Sequence, residues 1–238
     1  NTAAGFTDED VNEKQIETVL NKHSNGLPLN AAEIKILRTN INKLPVKTAG
    51  DRRPSISGRG QLSRDAIDLF FSEYGEGTSN NKYLEIYNNT GADYDLSALS
   101  ISSCSNGCDV TGAFDYPDNV TFAEGTVVAA GDVFVIAHPD ADAAILAEAD
   151  YTDFQYLGNG DDAFAITIAG ATYIVDIIGD MGDDPGSGWS VAGVDNATAN
   201  HTLQRNSDVT FGNEGDWASS AGTSTEDSEW TVLENNDW

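Results

Sequence analysis

From residue 67 onward, apolar residues come only in short bursts: IDLFFSEY, KYLEIYN, LSALSIS, TVVAAGDVFVIAH, AFAITI, TYIVDIIG and EWTVL. Each burst is rich in Val, Ile, Phe or Tyr, alternates or is wholly apolar, and is cut off by Gly, Asn or Asp. Runs of that length and type read as β-strands, because branched and aromatic side chains pack well on a pleated surface and the punctuating residues turn the chain. Seven to nine such strands in roughly 170 residues predict two antiparallel sheets packed as a sandwich. PDADAAILAEADY is the one segment of this stretch whose spacing predicts a helix.

The preceding residues follow a different rule. TDEDVNEKQIETVLNKHSNG opens on Thr7 as an N-cap, carries acids in its first turn and stops at Gly26, which predicts a helix. NAAEIKILRTNINKLP predicts a second, with Asn30 and Glu33 in capping-box positions and Ile34, Leu37, Ile41 and Leu44 forming an apolar stripe before Pro45. Two helices of this size bury too little surface to stand alone, so the stripe must find the body of the protein, another copy or a different protein. Residues 45–66 form a Gly/Ser/Arg-rich connector without periodicity. The expected division is therefore a helical hairpin arm at 1–44, a basic linker at 45–66 and a β-sandwich at 67–238.

Charge divides the chain at the same place. Residues 1–64 hold ten Lys/Arg against seven Asp/Glu, a net +3, whereas residues 65–238 hold two against 32, a net −30. The acidic body is a poor partner for nucleic acid or an anionic membrane, both of which need cations to neutralise phosphate. Its self-repulsion is best screened in salt, so a saline setting is expected. Arg52, Arg53 and Arg59 in the linker, with the stripe residues of the second helix, are the candidate partner-binding residues.

Cys104 and Cys108 flank Asn-Gly in SCSNGCD, a turn that brings the two sulfurs together. A small-loop disulfide is the favoured reading and implies an exported or extracellular protein; a redox or metal pair is the other, with only His23, His138 and His201 available to complete a site. The chain has no run of 18 apolar residues that would span a bilayer. It opens at Asn1 with neither Met nor a basic–apolar leader, as expected of a processed or trimmed product.

The body resembles the lamin tail domain family, in particular its exported bacterial members. The matching stretches run in the family's order: FFSEYGEGTSNNKYLEIYN, YDLSALSIS, AAGDVFVIAHP, LGNGDDAFAI, IVDIIGD, and the tail from HTLQRN through GNEGDWASSAGTSTEDSEWTVL. The resemblance covers residues 67–238 and implies an immunoglobulin-like sandwich used as a non-catalytic module. Nuclear members of the family bind partners and nucleic acid, while bacterial members accompany secreted nucleases, other hydrolases and surface proteins. No hydrolase motif accompanies the module in these 238 residues.

Candidates for chemistry are few. Asp180, Asp183 and Asp184 in GDMGDDPGSG cluster on a glycine-rich loop, which is the oxygen-ligand setting Ca²⁺ takes; a solvated turn is the competing reading, and no cofactor is required. Asp161 and Asp162 are adjacent and should point to opposite faces, which suits turn capping better than acid–base work. There is no G-x-S-x-G elbow, and two scattered histidines in the body do not make a triad or a metallonuclease site. His201 reads as structural, hydrogen-bonded beside Arg205. Trp189, Trp217 and Trp230 read as packing residues and Trp238 as exposed.

Lys82 and Arg205 are the only cations of the acidic body, and alternation places Lys82 at a strand's entrance on the face shared by Leu84 and Ile86. An ion pair from Lys82 to Glu73 across the GEGTSNN hairpin is expected. The leading functional expectation is a non-enzymatic structural protein, with the acidic module displayed on an extracellular assembly such as a capsid or cell surface. Its cationic arm would anchor it to protein partners, with homo-oligomers among the options. The alternative is a substrate- or calcium-binding accessory of a secreted hydrolase such as a nuclease.

Overall fold

A computed structural model describes residues 67–238 apart from 172 and 183, together with residues 14, 18 and 19. The short apolar bursts form antiparallel strands as expected. In chain order these are β1 (Leu69–Glu76), β2 (Lys82–Asn88), β3 (Tyr94–Asp95), β4 (Leu99–Cys104), β5 (Tyr116–Thr121), β6 (Val127–Val128) and β7 (Val133–Ala137). Helix α1 (Ala143–Glu148) follows where PDADAAILAEADY predicts one. After it come β8 (Ala163–Ile168), β9 (Ile174–Ile178), β10 (Thr202–Arg205), α2 (Trp217–Ala221) and β11 (Trp230–Leu233).

One sheet has the order β11-β10-β1-β2-β7, the other β5-β4-β8-β9, and β3 pairs with β6 in a two-stranded ribbon. The facing sides meet in a single core. Leu69, Phe71, Leu84, Ile86 and Ile136 from the first sheet pack with Leu99, Ile101, Phe164, Ile166 and Ile177 from the second, all at most 1% exposed. Each such side chain contributes about 1.5–3 kcal/mol by leaving water. The architecture is the immunoglobulin-like antiparallel sandwich that the resemblance implied.

Local chemistry explains where the strand pattern departs from expectation. TVVAAGDVFVIAH is not one strand but two in different sheets, because Gly131 (φ 76°) turns the chain and the Asp132 N–H bonds the Ala129 carbonyl (3.1 Å). In LSALSIS, Asp95 accepts from the Ser97 N–H (2.9 Å) and winds Leu96–Ala98 into a 3₁₀ turn before β4 starts. Strand β5 has no apolar alternation to announce it: in YPDNVT only Val120 is buried.

Three of the four sheet edges are closed or blunted, as open edges invite unwanted pairing. Beyond β7, the Val135 carbonyl accepts from Asp150 and Tyr151 while Tyr151 accepts from the Ala137 N–H. Beyond β9, Asn213 exchanges two hydrogen bonds with the Ile177 backbone (3.1 and 2.7 Å). On β5, Pro117 and the left-handed Asp118 (φ 52°) interrupt the edge. Among the described residues the edge at β11 pairs with β10 alone.

A buried ionic tie joins the sheets. Asp176 on β9 is fully buried; its carboxylate accepts from Arg205 Nη2 on β10 (2.5 Å), from the Phe71 N–H at the start of a bulge in β1 (2.8 Å) and from the Asn213 N–H (2.8 Å). Arg205 also donates to Ser220 and Glu229, and its guanidinium lies 4.2 Å from the Trp230 ring centre. In the amino-terminal segment, residues 14, 18 and 19 are helical, and Val19 is 3% exposed within the same apolar cluster as the sandwich core.

Candidate functional site

Lys82 sits where alternation placed it, as the first residue of β2 on the face of Leu84 and Ile86, but its partner is Glu76 (2.5 Å) and not Glu73. The cause is the β-bulge between Phe71 and Glu73, which inserts one residue into β1 and reverses the phase of all that follows. After it, Glu76 stands opposite Lys82, while Glu73 stands opposite Glu85 on the other face of the sheet. Lys82 also donates to the Gly158 carbonyl, and Glu76 accepts from the Asn200 N–H. The lysine therefore fastens the first hairpin to the GNGDD loop that feeds β8.

In that loop Asp162 caps the turn, accepting from the backbone N–H groups of Asn106 (2.8 Å) and Asn159 (3.2 Å). Burial, then the neighbouring Asp162, pushes the Asp161 carboxyl above its ordinary value. The loop cannot accept a side chain at Gly160: with φ at 107°, an added Cβ would lie 2.4 Å from that of Ala199. Cys104 and Cys108 form the expected disulfide. It lies against this same end of the sandwich, with the Gly107 N–H bonded to the Asp161 carbonyl (2.8 Å).

The other candidates fall apart from one another. Asp180 and Asp184 are exposed, Asp184 accepts from the Gly186 N–H (2.6 Å), and Asp183 lies outside the described residues. Among the described residues, no three His, Cys, Asp or Glu side chains gather as a metal would need. His201 bonds the Ala199 carbonyl (2.8 Å), and Arg205 is committed to Asp176, Ser220 and Glu229. His138 accepts from the Asp140 N–H (3.0 Å). Trp217 and Trp230 are core residues and Trp238 is 45% exposed. Ile34, Leu37, Ile41, Leu44, Arg52, Arg53 and Arg59 lie outside the described residues. No helix among the described residues is long and apolar enough to cross a membrane.

What sequence reasoning missed is a line of polar side chains across the outer face of the five-stranded sheet. Thr231 on β11 pairs with Gln204 on β10, Gln204 with Glu73 on β1, and Glu73 with Glu85 on β2. With Ser72, Arg205, Asn206 and Ser207 they line a groove of about 440 Å³. Glu73 accepts from the Tyr83 hydroxyl (2.9 Å) and from Gln204 Nε2 (2.8 Å), and Glu85 accepts from the Ser72 hydroxyl (2.7 Å). Burial raises the Glu85 carboxyl above its ordinary value; Glu73 adds to the rise and the Ser72 hydrogen bond opposes it. Among the described residues no cation pairs with either carboxylate. The arrangement can hold a positive charge.

Comparison with curated proteins gives no match for the chain. The model of one family does match, over a span narrower at its carboxyl end than the resemblance suggested: it takes in β1 to β9, and β10 and β11 lie beyond it while completing the same sheet. That family is the Lamin Tail Domain, whose model matches residues 63–179.

Proposed function

We propose that this chain is a non-catalytic interaction protein, an acidic lamin-tail module displayed to solvent on a larger extracellular assembly and fastened to it by its cationic amino-terminal segment. A capsid decoration or a cell-surface component answers that description. One observation carries the reading: both cations of the acidic body are spent internally. The Lys82 side chain is 12% exposed and paired with Glu76, and that of Arg205 is 1% exposed and paired with Asp176. The body therefore offers partners carboxylates and hydrogen-bonding groups but no free Lys or Arg, and it repels polyanions. Attraction to an acidic surface falls to the segment before it, which holds ten of the twelve Lys and Arg residues.

One further observation supports the reading, and another narrows it. The Cys104–Cys108 disulfide suits an oxidising compartment. The burial of Val19 ties the beginning of the segment to its own body, so the stretch from Lys47 to Arg64 is the part assigned to the partner. The test is co-sedimentation of the full chain with particle or envelope fractions of its source, comparing wild type with a variant carrying Arg52→Ser, Arg53→Ser and Arg59→Ser. Loss of co-sedimentation by a folded variant is expected; unimpaired association contradicts the proposal. So does turnover of a phosphodiester or glycoside that Asp183→Asn abolishes.

A further inference from the structure

The groove on the outer face of the five-stranded sheet sets two like charges directly opposite each other. Cross-strand pairs of the same sign destabilise a sheet, and among the described residues this pair is met only by neutral donors: Ser72, Tyr83 and Gln204. A cation laid between Glu73 and Glu85 removes the repulsion. A guanidinium does so best, since its fork of donors engages two carboxylate oxygens at once.

The chain carries a ligand of that chemistry. Residues 47–64 contain Lys47, Arg52, Arg53, Arg59 and Arg64 against one acid, Asp51. The row from Thr231 to Glu85 crosses three strand spacings, roughly 14 Å. Arg59 and Arg64, five residues apart, span roughly 17 Å when extended. The groove is bounded on one side by β11, which among the described residues pairs with β10 alone.

We propose that the row formed by Thr231, Gln204, Glu73 and Glu85 is a docking surface for the arginine-bearing segment 47–64 of a second copy of this chain. The inference rests on the reading that this segment is the fastening element, and it names the partner: the acidic sandwich of the next molecule. Such a contact joins two different surfaces, so it propagates head to tail into rings or open chains instead of stopping at a symmetric dimer.

The experiment uses three full-length proteins: wild type, Glu73→Gln/Glu85→Gln, and Arg52→Ser/Arg53→Ser/Arg59→Ser/Arg64→Ser. Sedimentation velocity is recorded at 50 and 500 mM NaCl, with circular dichroism to show that each is folded. Wild type is expected to self-associate at low salt and to weaken by about tenfold or more at high salt, as screening shortens the reach of the charges. Each variant alone is expected to be monomeric, since one lacks the groove and the other the ligand. Mixed in equal amounts, they are expected to form a one-to-one dimer that grows no further, because only one intact groove and one intact segment face each other. A monomeric wild type, or a mixture that stays monomeric, overturns the proposal. If the Glu variant associates like wild type while the Arg variant does not, the groove is the wrong surface and the fastening segment stands. If both associate like wild type, the two readings fail together.

Discussion

Replacing Asp176 with Asn tests the ionic tie that joins the two sheets. Asp176 is fully buried and its two oxygens accept three donors, from Phe71, Asn213 and Arg205. The amide keeps the shape but turns an N–H₂ toward at least one of those donors, and it leaves Arg205, itself 1% exposed, without its buried counter-charge. Glu229 remains at 3.1 Å, with its side chain 27% exposed, and can compensate only in part. Breaking one partner of a buried pair costs about 3–5 kcal/mol, chiefly from the stranded charge. For a body of this size that corresponds to a fall in Tm of roughly 6–20 °C.

Urea unfolding followed by tryptophan fluorescence reads the loss, because Trp217 and Trp230 are core residues near the pair. Adding Arg205→Met removes the stranded charge while keeping an apolar stem over Trp230, so the double variant should recover part of the loss. A cost below about 1 kcal/mol for Asp176→Asn, or a double variant whose loss is the sum of the singles, would refute the reasoning.

Glu85→Gln should raise stability at neutral pH. The folded-state pKa of Glu85 lies above its ordinary value, so the unfolded chain ionises first and stability falls as pH rises from the usual carboxylate range through the folded value. The substitution should flatten that fall, which urea midpoints measured between pH 4 and 8 would register; an unchanged pH profile would refute it. Replacing Cys104 and Cys108 by Ser opens a short loop and should cost roughly 2 kcal/mol in the chain-entropy account, with the sandwich's circular dichroism spectrum retained. Loss of the fold would mean that the disulfide carries more than loop closure. Gly160→Ala should destabilise by about 1–3 kcal/mol, since it meets both a left-handed backbone and Ala199, and a neutral effect would contradict the packing described for the GNGDD loop.

The parts of this fold that were legible in the sequence are those that local pattern determines. Alternation in KYLEIYN assigned Lys82 to the start of β2 and to the correct face, since strand period depends on near neighbours alone. Its partner was misread because a bulge depends on how two strands meet, and nothing in LFFSEYGE announces the extra residue at Ser72. The Asp176–Arg205 tie spans 29 residues and went unread. It did leave a signal: a carboxylate inside the apolar run IVDII and a lone arginine in an acidic body, each needing the other once buried. The row of Thr231, Gln204, Glu73 and Glu85 left none, because it exists only through the register of four strands drawn from distant parts of the chain. Strand β5 escaped because its Pro117, Asp118 and Asn119 read as a turn.

The most direct test of the central claim, that a basic segment fastens an otherwise polyanionic module, is a salt titration of the full chain bound to its native assembly. Raising NaCl from 0.1 to 1 M shortens the screening length from about 10 to about 3 Å. The account predicts progressive release of folded protein over that range, with the Arg52→Ser/Arg53→Ser/Arg59→Ser variant already free at the lowest salt. Retention of the wild-type chain at 1 M NaCl, or equal retention of the variant, would contradict it.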